Sequence, residues 1–415
     1  MVKSIVKRAG RVVVYDENKI TAAILKSLKA AGEGDAEQAE QVAHAVGKRL
    51  DALPQENPRI EEIQDIAEQE LMHAGFENAA KQYILYRAER TRIREAKTSL
   101  MHAIDEITNV DARQSDMKRD NANIDGNTAM GSMLQIGTAG AKAYNAAYLL
   151  TPEQSKAYAE GDIHIHDFDF YALTTTCCQI DLLRLFKGGF STGHGYLREP
   201  QSIGSYAALA AIAIQSNQND QHGGQGVPNF DYAMAQGVAK SFARLYRRKL
   251  RDALEDVLDS EDETELARQA TEAGEEATGH PARLEIDAER FDEAVCAALV
   301  GTGRLDEKAA ASIVRRARRR AAESTDRDTF QAMEGFVHNL NTMHSRAGAQ
   351  TPFSSITYGT DTSPEGRMVI RNILLAEDAG LGHGETPIFP IHIFKVKEGV
   401  NYNPGDPNYD VFKLS

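Results

Sequence analysis

The chain has 415 residues, 61 acidic against 47 basic side chains, a formal net charge of −14 and three cysteines. This length predicts about two to three domains. The acidic balance argues against a protein that coats nucleic acid, because such a protein needs an uncompensated basic surface. Three cysteines exclude a disulfide scaffold and a four-cysteine zinc site. The sequence has neither an apolar run of membrane-spanning length nor the apolar core of a signal peptide, so we expect a cytoplasmic protein with no membrane partner and no direct nucleic-acid partner.

The first 95 residues or so predict a small, mainly helical domain edged by a β-hairpin. Val12–Tyr15 is a short β-rich run, and Asp16 follows it as a candidate helix start. Ile60, Ile63 and Ile66 recur at the spacing of one apolar helical face. Further helices are expected at about 36–53, 59–74 and 77–98.

The next stretch, about 99–240, is richer in Gly, Thr, Asn and Gln. Polar amides are costly inside a globular protein unless each finds a partner, so the stretch predicts either a polar ligand pocket or a set of solvated loops. The motifs concerned are Asn121–Gly126, Ile163–Asp167, Thr174–Gln179 and Gln215–Gly224.

A charged helical insert is predicted at about 245–325. It contains the arginine cluster Arg315–Arg320, which indicates either phosphate contact or, more commonly, a solvated helix face balanced by nearby acids. The remainder, about 329–415, returns to the composition of the second stretch and includes the strand-like Pro387–Val396.

Cations surround the predicted N-terminal hairpin. Lys7, Arg8 and Lys19 supply charge, and Gly10 permits close backbone approach, an arrangement that suits a triphosphate. Surface cations are often only solubilising, and the sequence contains no Gly-x-x-x-x-Gly-Lys-Ser/Thr motif, which disfavours a P-loop hydrolase.

Two pairs of chemically active residues occur in the middle of the chain. If His164 and His166 lie on a strand, their side chains share one face, where they act as metal ligands or as hydrogen-bonded polar residues. Cys177 and Cys178 are adjacent, so on a strand they face opposite ways and at most one reaches a pocket.

The N-terminal motif resembles an ATP-cone, the allosteric domain of many ribonucleotide reductases. The likeness rests on Lys7-Arg8-x-Gly10, Lys19-Ile20 and Tyr86-Arg87, in this order, and covers about residues 2–94. The resemblance implies that ATP or dATP binds as an allosteric effector. The phosphates would be held by Lys7, Arg8, Gly10 and Lys19.

Most of the remaining chain resembles the anaerobic, oxygen-sensitive (class III) ribonucleoside-triphosphate reductases. The motifs that carry the likeness are separated along the chain and occur in the order of that family. They are Ile163–Asp167, Thr176–Gln179, Gly188–Ser191, Asn217–Gly224, Asn339–Arg346, Pro352–Ser355 and Pro387–Pro390.

This resemblance implies an α/β fold: an ATP-cone at 1–95, then at 96–415 the first part of a ten-stranded α/β barrel, incomplete at its C-terminus. The reaction implied is reduction of a ribonucleoside triphosphate at C2′ through a glycyl radical and a cysteine thiyl radical. One of Cys177 and Cys178 would be the second, reducing cysteine. The substrate-binding residues implied are His164, His166, Asn339, Asn341 and Ser354.

The family also implies effectors and partners. A deoxynucleotide specificity effector would be lined by Glu199, Gln201 and Gln215, where an apolar run, Ala207–Ile214, fits either a homodimer contact or core packing. A radical-SAM iron–sulfur enzyme would install the glycyl radical. Formate or a thioredoxin- or glutaredoxin-like protein would supply electrons.

The sequence departs from the family pattern in its cysteines. Cys296 lies in the charged insert with the pattern of a structural helix residue, so it is rejected as the thiyl cysteine. The thiyl cysteine, the glycyl-radical loop and the zinc module are expected beyond Ser415. We therefore expect the N-terminal part of a reductase, from a truncated, split or interrupted gene and inactive by itself. The alternatives are a non-catalytic nucleotide-binding fragment and a glycyl-radical enzyme of the formate-lyase type.

Overall fold

The computed structural model describes residues 3–7, 10–109, 125–172, 176–345 and 350–415, with the backbone alone at 95–99. Arg8, Asn121–Ile124, Thr174–Thr175 and Arg346, all parts of the motifs above, lie outside the described residues. The chain divides into two compact units, Met1–Ile104 with Lys142–His164 and Asp105–Ala141 with Ile165–Ser415. None of the described helices has the length and apolar character needed to cross a membrane.

The N-terminal elements are a hairpin followed by helices. The antiparallel pairing joins Ser4 to Val14, and Lys7 N donates to Arg11 O across the turn (2.9 Å). The elements are β1 (Ser4–Val6), β2 (Val12–Val14), α1 (Glu17–Ala31), α2 (Ala36–Asp51), α3 (Ile60–His73), α4 (Glu77–Asn109), α5 (Ala129–Tyr148) and α6 (Pro152–Glu160).

Local capping explains where these helices begin. Asp16 accepts from Asn18 N at the start of α1, and Asp35 and Gln38 form a reciprocal capping box at the start of α2. The apolar faces of α1 to α4 then enclose one core, represented by Leu28, Val46 and the fully buried Leu71. The predicted helices with a hairpin edge are confirmed, although α4 runs eleven residues past its expected end.

The second unit contains a four-stranded parallel sheet in the order β3-β6-β7-β8, flanked by helices. Its elements in chain order are β3 (Thr176–Gln179), α7 (Leu182–Phe186), β4 (Phe190–Ser191), β5 (Tyr196–Leu197), α8 (Ile203–Asp220), β6 (His222–Val227), α9 (Phe230–Leu258), α10 (Thr264–Thr278), α11 (Ala288–Gly301), α12 (Glu307–Thr342), β7 (Ser354–Tyr358), α13 (Pro364–Ala379), β8 (Ile391–Phe394) and α14 (Tyr409–Leu414).

The two faces of this sheet differ in burial. One face packs against helices, with Val227 and Ile356 fully buried in the main core. The other, which we call the open face, carries Gln179, Gly226 and Ser355 side by side in register. A mixed α/β fold with a parallel sheet is thus confirmed, and the described residues contribute four parallel strands to it.

The charged stretch at 245–325 is helical and has a core of its own, formed by parts of α9, α10, α11 and α12. From the arginine cluster, Arg318 pairs with Asp292 (Nε–Oδ2 2.6 Å) and lies against the rings of Phe242 and Tyr246. Arg318 is therefore part of the packing of this helical region, which favours the structural interpretation of the cluster over phosphate contact.

Candidate functional site

Strand β3 directs its two cysteines to opposite faces of the sheet. Cys178 lies in register with Gln225, and its Sγ accepts a hydrogen bond from Asn217 Nδ2 on α8 (3.0 Å). Cys177 is exposed and has a left-handed backbone, with φ of 61°. Cys178 therefore contacts α8, whereas Cys177 is exposed, and the backbone at Cys177 departs from the regular strand alternation on which the prediction was based.

A β-bulge brings β6 close to Cys177. Between the pairs Thr176–His222 and Cys178–Gln225, β6 has one residue more than β3. Gly223 lies in this bulge with φ of 86°, and a Cβ there would come within 3.0 Å of Cys177 Sγ. Glycine is favoured here by its positive φ, and an added Cβ would also crowd the backbone N of Cys177 at 3.3 Å.

The open face next to Cys177 has small side chains in its middle and apolar ones near its edge. Gly226 and Ser355 occupy neighbouring register positions, and a Cβ on Gly224 would meet the ring of Phe353 at 3.1 Å. On edge strand β8, Ile391 and Ile393 are 43% and 45% exposed. The centre of this face is thus polar, with the Gln179 amide over Gly226 and Ser355 beside it, and its edge is apolar.

The predicted histidines are not on a strand. His164 and His166 lie in the connection between α6 and β3, so the alternation argument for their shared face was wrong. His166 Nε2 lies 3.4 Å from Asp167 Oδ2. The other oxygen of Asp167 instead contacts a histidine that sequence reasoning missed, His222 on β6 (Oδ1–Nε2 3.1 Å).

Two of the predicted substrate residues bind their own chain. Asn341 Nδ2 donates to Phe389 O (2.5 Å), and its Oδ1 accepts from the backbone N–H groups of Ile388 and Phe389 (2.8 and 3.2 Å). Ser354 is fully buried, and its Oγ donates to Pro352 O (3.2 Å). Asn339 lies two residues before Asn341 on α12, and its carbonyl accepts from Gln215 Nε2 (3.4 Å).

The three predicted specificity residues do not converge. Glu199 bonds Lys240 Nζ on α9 (2.6 Å) and Gly188 N (2.9 Å), and Gln201 Nε2 donates to the carbonyl of Glu199 (3.2 Å). Lys240 lowers the pKa of Glu199, with a further contribution from the Gly188 N–H. Gln215 lies twelve residues after the first residue of α8, which is about 18 Å along the helix axis. Lys240, which sequence reasoning missed, is thus a closer partner of Glu199 than Gln215 is.

A cavity of about 470 Å³ lies in the N-terminal helical unit, between α1, α3 and α4. Five of the residues that line it are cationic: Lys19, Lys26, Arg87, Arg90 and Arg94. Among the predicted phosphate ligands, Lys19 lines the cavity, whereas Lys7 and Gly10 form the hairpin turn (Gly10 N to Lys7 O 2.8 Å). The spacing of Arg87, Arg90 and Arg94 at i, i+3 and i+7 was a sequence signal for this cationic face.

The cations of the cavity differ in how far they are neutralised. Arg87 is held by Asp65 and by Glu68 (2.9 Å), and Lys19 Nζ lies 3.5 Å from Asp16. Over the part of the chain that the structure describes, neither Lys26 nor Arg90 has a carboxylate partner. The cavity therefore keeps positive charge available for an anionic ligand.

Comparison with known sequences assigns both parts of the chain. The sequence model of the anaerobic ribonucleoside-triphosphate reductases matches residues 120–415, and that of the ATP cone domain matches residues 3–92. The chain belongs to the anaerobic ribonucleoside-triphosphate reductase family.

Relatives of this reductase family match along the whole chain. The anaerobic ribonucleoside-triphosphate reductases of Salmonella typhimurium and Escherichia coli are 28% and 27% identical to it over all of this chain and 50% of their own length. A vitamin B12-dependent ribonucleoside-diphosphate reductase of Thermoplasma acidophilum is 44% identical over 26% of this chain and 14% of its own length. The chain thus spans about half the length of the anaerobic reductases it matches.

Within this family assignment, the ATP-cone match contains the residues that line the cationic cavity up to Arg90. The presence of an ATP-cone implies that a nucleotide effector binds. The reductase match contains Cys177, Cys178 and all four strands of the parallel sheet.

Proposed function

We propose that this chain is the nucleotide-regulated N-terminal half of an anaerobic reductase that converts ribonucleoside triphosphates to deoxyribonucleoside triphosphates by glycyl and thiyl radical chemistry. The observation that carries the proposal is the position of Cys177, exposed on the open face of the sheet beside Gly223. A family reductase needs a thiol that faces the ribose, and Cys177 is available to a ligand on that face.

Cys177, rather than Cys178, is the reducing cysteine in this proposal. Cys178 Sγ is turned toward α8 and already accepts a hydrogen bond from Asn217. The substrate would lie over the polar centre of this face, beside Ser355 and the Gln179 amide that covers Gly226. His164, His166 and Asn339 remain predicted contacts of the substrate, whereas Asn341 and Ser354 support the strands beneath it.

We expect the remaining components of the reaction in the half of the relatives that this chain does not span. They are the thiyl cysteine, the glycyl radical, the zinc module and the other strands of a ten-stranded barrel. The proposed partners are a second copy of the reductase, a radical-SAM activating enzyme, and formate or a thioredoxin- or glutaredoxin-like protein as electron donor. The proposed location is the cytoplasm.

The cationic cavity is the proposed site for the phosphates of ATP or dATP. Lys26 and Arg90 join Lys19 as candidate ligands because they line the cavity and lack carboxylate partners among the described residues. Glu199, Gln201 and Lys240 are the proposed specificity-effector cluster, in which the Lys240 ammonium is the candidate contact for a phosphate.

An anaerobic assay with separate cysteine variants tests the catalytic assignment. The chain is combined with a polypeptide corresponding to the second half of its relatives and with a radical-SAM activating enzyme, and deoxyribonucleotide formation from labelled ribonucleoside triphosphate is measured. Cys177→Ser should reduce product to background because serine has no thiol hydrogen to transfer. Cys178→Ser, the matched control, should retain most of the activity.

Two outcomes would contradict this assignment. Product formation by Cys177→Ser would exclude Cys177 as the reducing cysteine. No product from the unmodified chain, with ATP binding intact, would favour the non-catalytic nucleotide-binding alternative.

A further inference from the structure

Asp167 and His222 form a fixed pair beside the cysteine strand. Asp167 Oδ1 and His222 Nε2 are 3.1 Å apart, and His222 is 7% exposed. The imidazole also stacks on the ring of Phe170, with ring centroids 3.7 Å apart and an interplanar angle of 13°. Because the backbone of His222 pairs with Thr176, both the ring and its attachment are held relative to β3.

One member of this pair, Asp167, lies across Gly223 from the thiol of Cys177. A Cβ on Gly223 would lie 3.0 Å from Cys177 Sγ, 3.3 Å from Cys177 N and 3.4 Å from Asp167 Oδ2. The carboxylate and the thiol therefore border the same space, which glycine leaves open. Cys177 and Asp167 both have left-handed backbones, with φ of 61° and 52°, a conformation that non-glycine residues adopt when their surroundings enforce it.

Asp167 Oδ2 is a buried acceptor without a hydrogen bond. Among the described residues no donor meets hydrogen-bond geometry with it, although His166 Nε2 lies 3.4 Å away. Buried carboxylate oxygens without donors are uncommon because leaving them unpaired is costly. The Cys177 S–H is a donor within its neighbourhood, and the exposed position of Cys177 leaves its side chain room to rotate about the Cα–Cβ bond.

We propose that Asp167, held in place by His222, accepts a hydrogen bond from the Cys177 thiol and sets the direction of its S–H group on the open face. Asp167 and His222 are positioning residues here, since they act through Cys177. This role rests on the proposed function, in which Cys177 is the reducing cysteine: a fixed acceptor sets the position of the sulfur on the open face, and the single S–H hydrogen points to Asp167 until the thiol turns toward a ligand. The titratable side chain that the structure places near this thiol is Asp167, whose own titratable neighbours are His166 and His222.

The three cysteines of the chain make a direct spectroscopic test practical. The double variant Cys178→Ser, Cys296→Ser leaves Cys177 as the sole thiol, whose S–H stretching band is recorded by infrared difference spectroscopy in H₂O and D₂O. In this background Asp167→Ala should move the band to higher wavenumber, because the thiol loses its acceptor. Asp162→Asn, an exposed carboxylate in the same connection, should leave the band unchanged.

A pair of His222 variants separates positioning from simple loss of folding. His222→Ala should shift the band in the same direction as Asp167→Ala, whereas His222→Gln should restore it, because the glutamine amide can still donate to Asp167. An unchanged band in Asp167→Ala, or equal bands in the two His222 variants, would overturn the proposal. The measurement uses the chain without turnover, so a reductase assay that fails does not affect its outcome.

Discussion

At the scale of single residues, Asn341 illustrates how a family motif residue can serve the fold. Its side-chain amide makes four hydrogen bonds. The oxygen accepts from Ile388 N and Phe389 N, and the nitrogen donates to Phe389 O and Val337 O. We expect Asn341→Ala to lower the free energy of unfolding by about 2–3 kcal/mol, since it leaves several backbone groups unpaired. Urea denaturation measures this, with Asn339→Ala on the same helix as the control, expected below about 1 kcal/mol. A negligible effect of Asn341→Ala on stability would show that its bonds are dispensable for the fold.

Individual site residues could be predicted where their motif was local in the sequence, whereas their contact partners in the fold could not. Cys177, Cys178 and Lys19 could be selected from the sequence because their motifs span a few residues. His222 and Lys240 could not, because their partners Asp167 and Glu199 are 55 and 41 positions away along the chain. The contact that distinguishes the two cysteines, Asn217 to Cys178 Sγ, also depends on the packing of α8 against the sheet.

At the scale of elements, Asp231 joins the start of α9 to the turn after β7. Its side chain is fully buried, and Oδ2 accepts from the backbone N–H groups of Gly359, Thr360 and Asp361 (2.9, 3.0 and 3.0 Å). Asp231→Ala should lower the free energy of unfolding by about 3–5 kcal/mol, because three charge-assisted bonds are lost together. Chemical denaturation measures this, with Asp256→Asn as the control. Asp256 is an exposed carboxylate of α9, so the free energy of unfolding of this variant should lie within about 0.5 kcal/mol of that of the unmodified chain. Equal stability of the two variants would contradict this role for Asp231.

The helices of the N-terminal unit were predictable because their determinants are close in sequence. Asp16 and the Asp35–Gln38 box mark helix starts within three residues, and the isoleucines of α3 repeat at helical spacing. The order of the parallel sheet was not predictable, since β6 and β7 pair although more than a hundred residues separate them. His164 and His166 were misplaced for a related reason: their alternating sequence suits a strand, but no neighbouring strand pairs with them among the described residues.

At the scale of the whole molecule, each unit has its own core. The cluster that includes Leu28 and Leu71 lies in the N-terminal unit, and the clusters around Phe230 and Tyr246 lie in the second. The cationic cavity lies within the first unit and the Cys177 face within the second. In the proposed function, effector binding and thiol chemistry therefore belong to different cores, and we expect each core to unfold in a transition of its own.

This separation predicts a selective thermal response to ATP. Calorimetry should show two transitions, and ATP at 100 times its dissociation constant should stabilise one of them by about 2.7 kcal/mol, since a ligand stabilises only the unit it binds. The double variant Lys26→Ala, Arg90→Ala should lose most of this shift because it removes two cations of the cavity that lack carboxylate partners among the described residues. Lys81→Ala, an exposed cation on α4 that does not line the cavity, is the matched control and should keep the shift. If the double variant keeps the ATP-induced shift, the effector binds outside the cationic cavity. If calorimetry shows one transition that shifts as a whole, the two cores do not unfold independently.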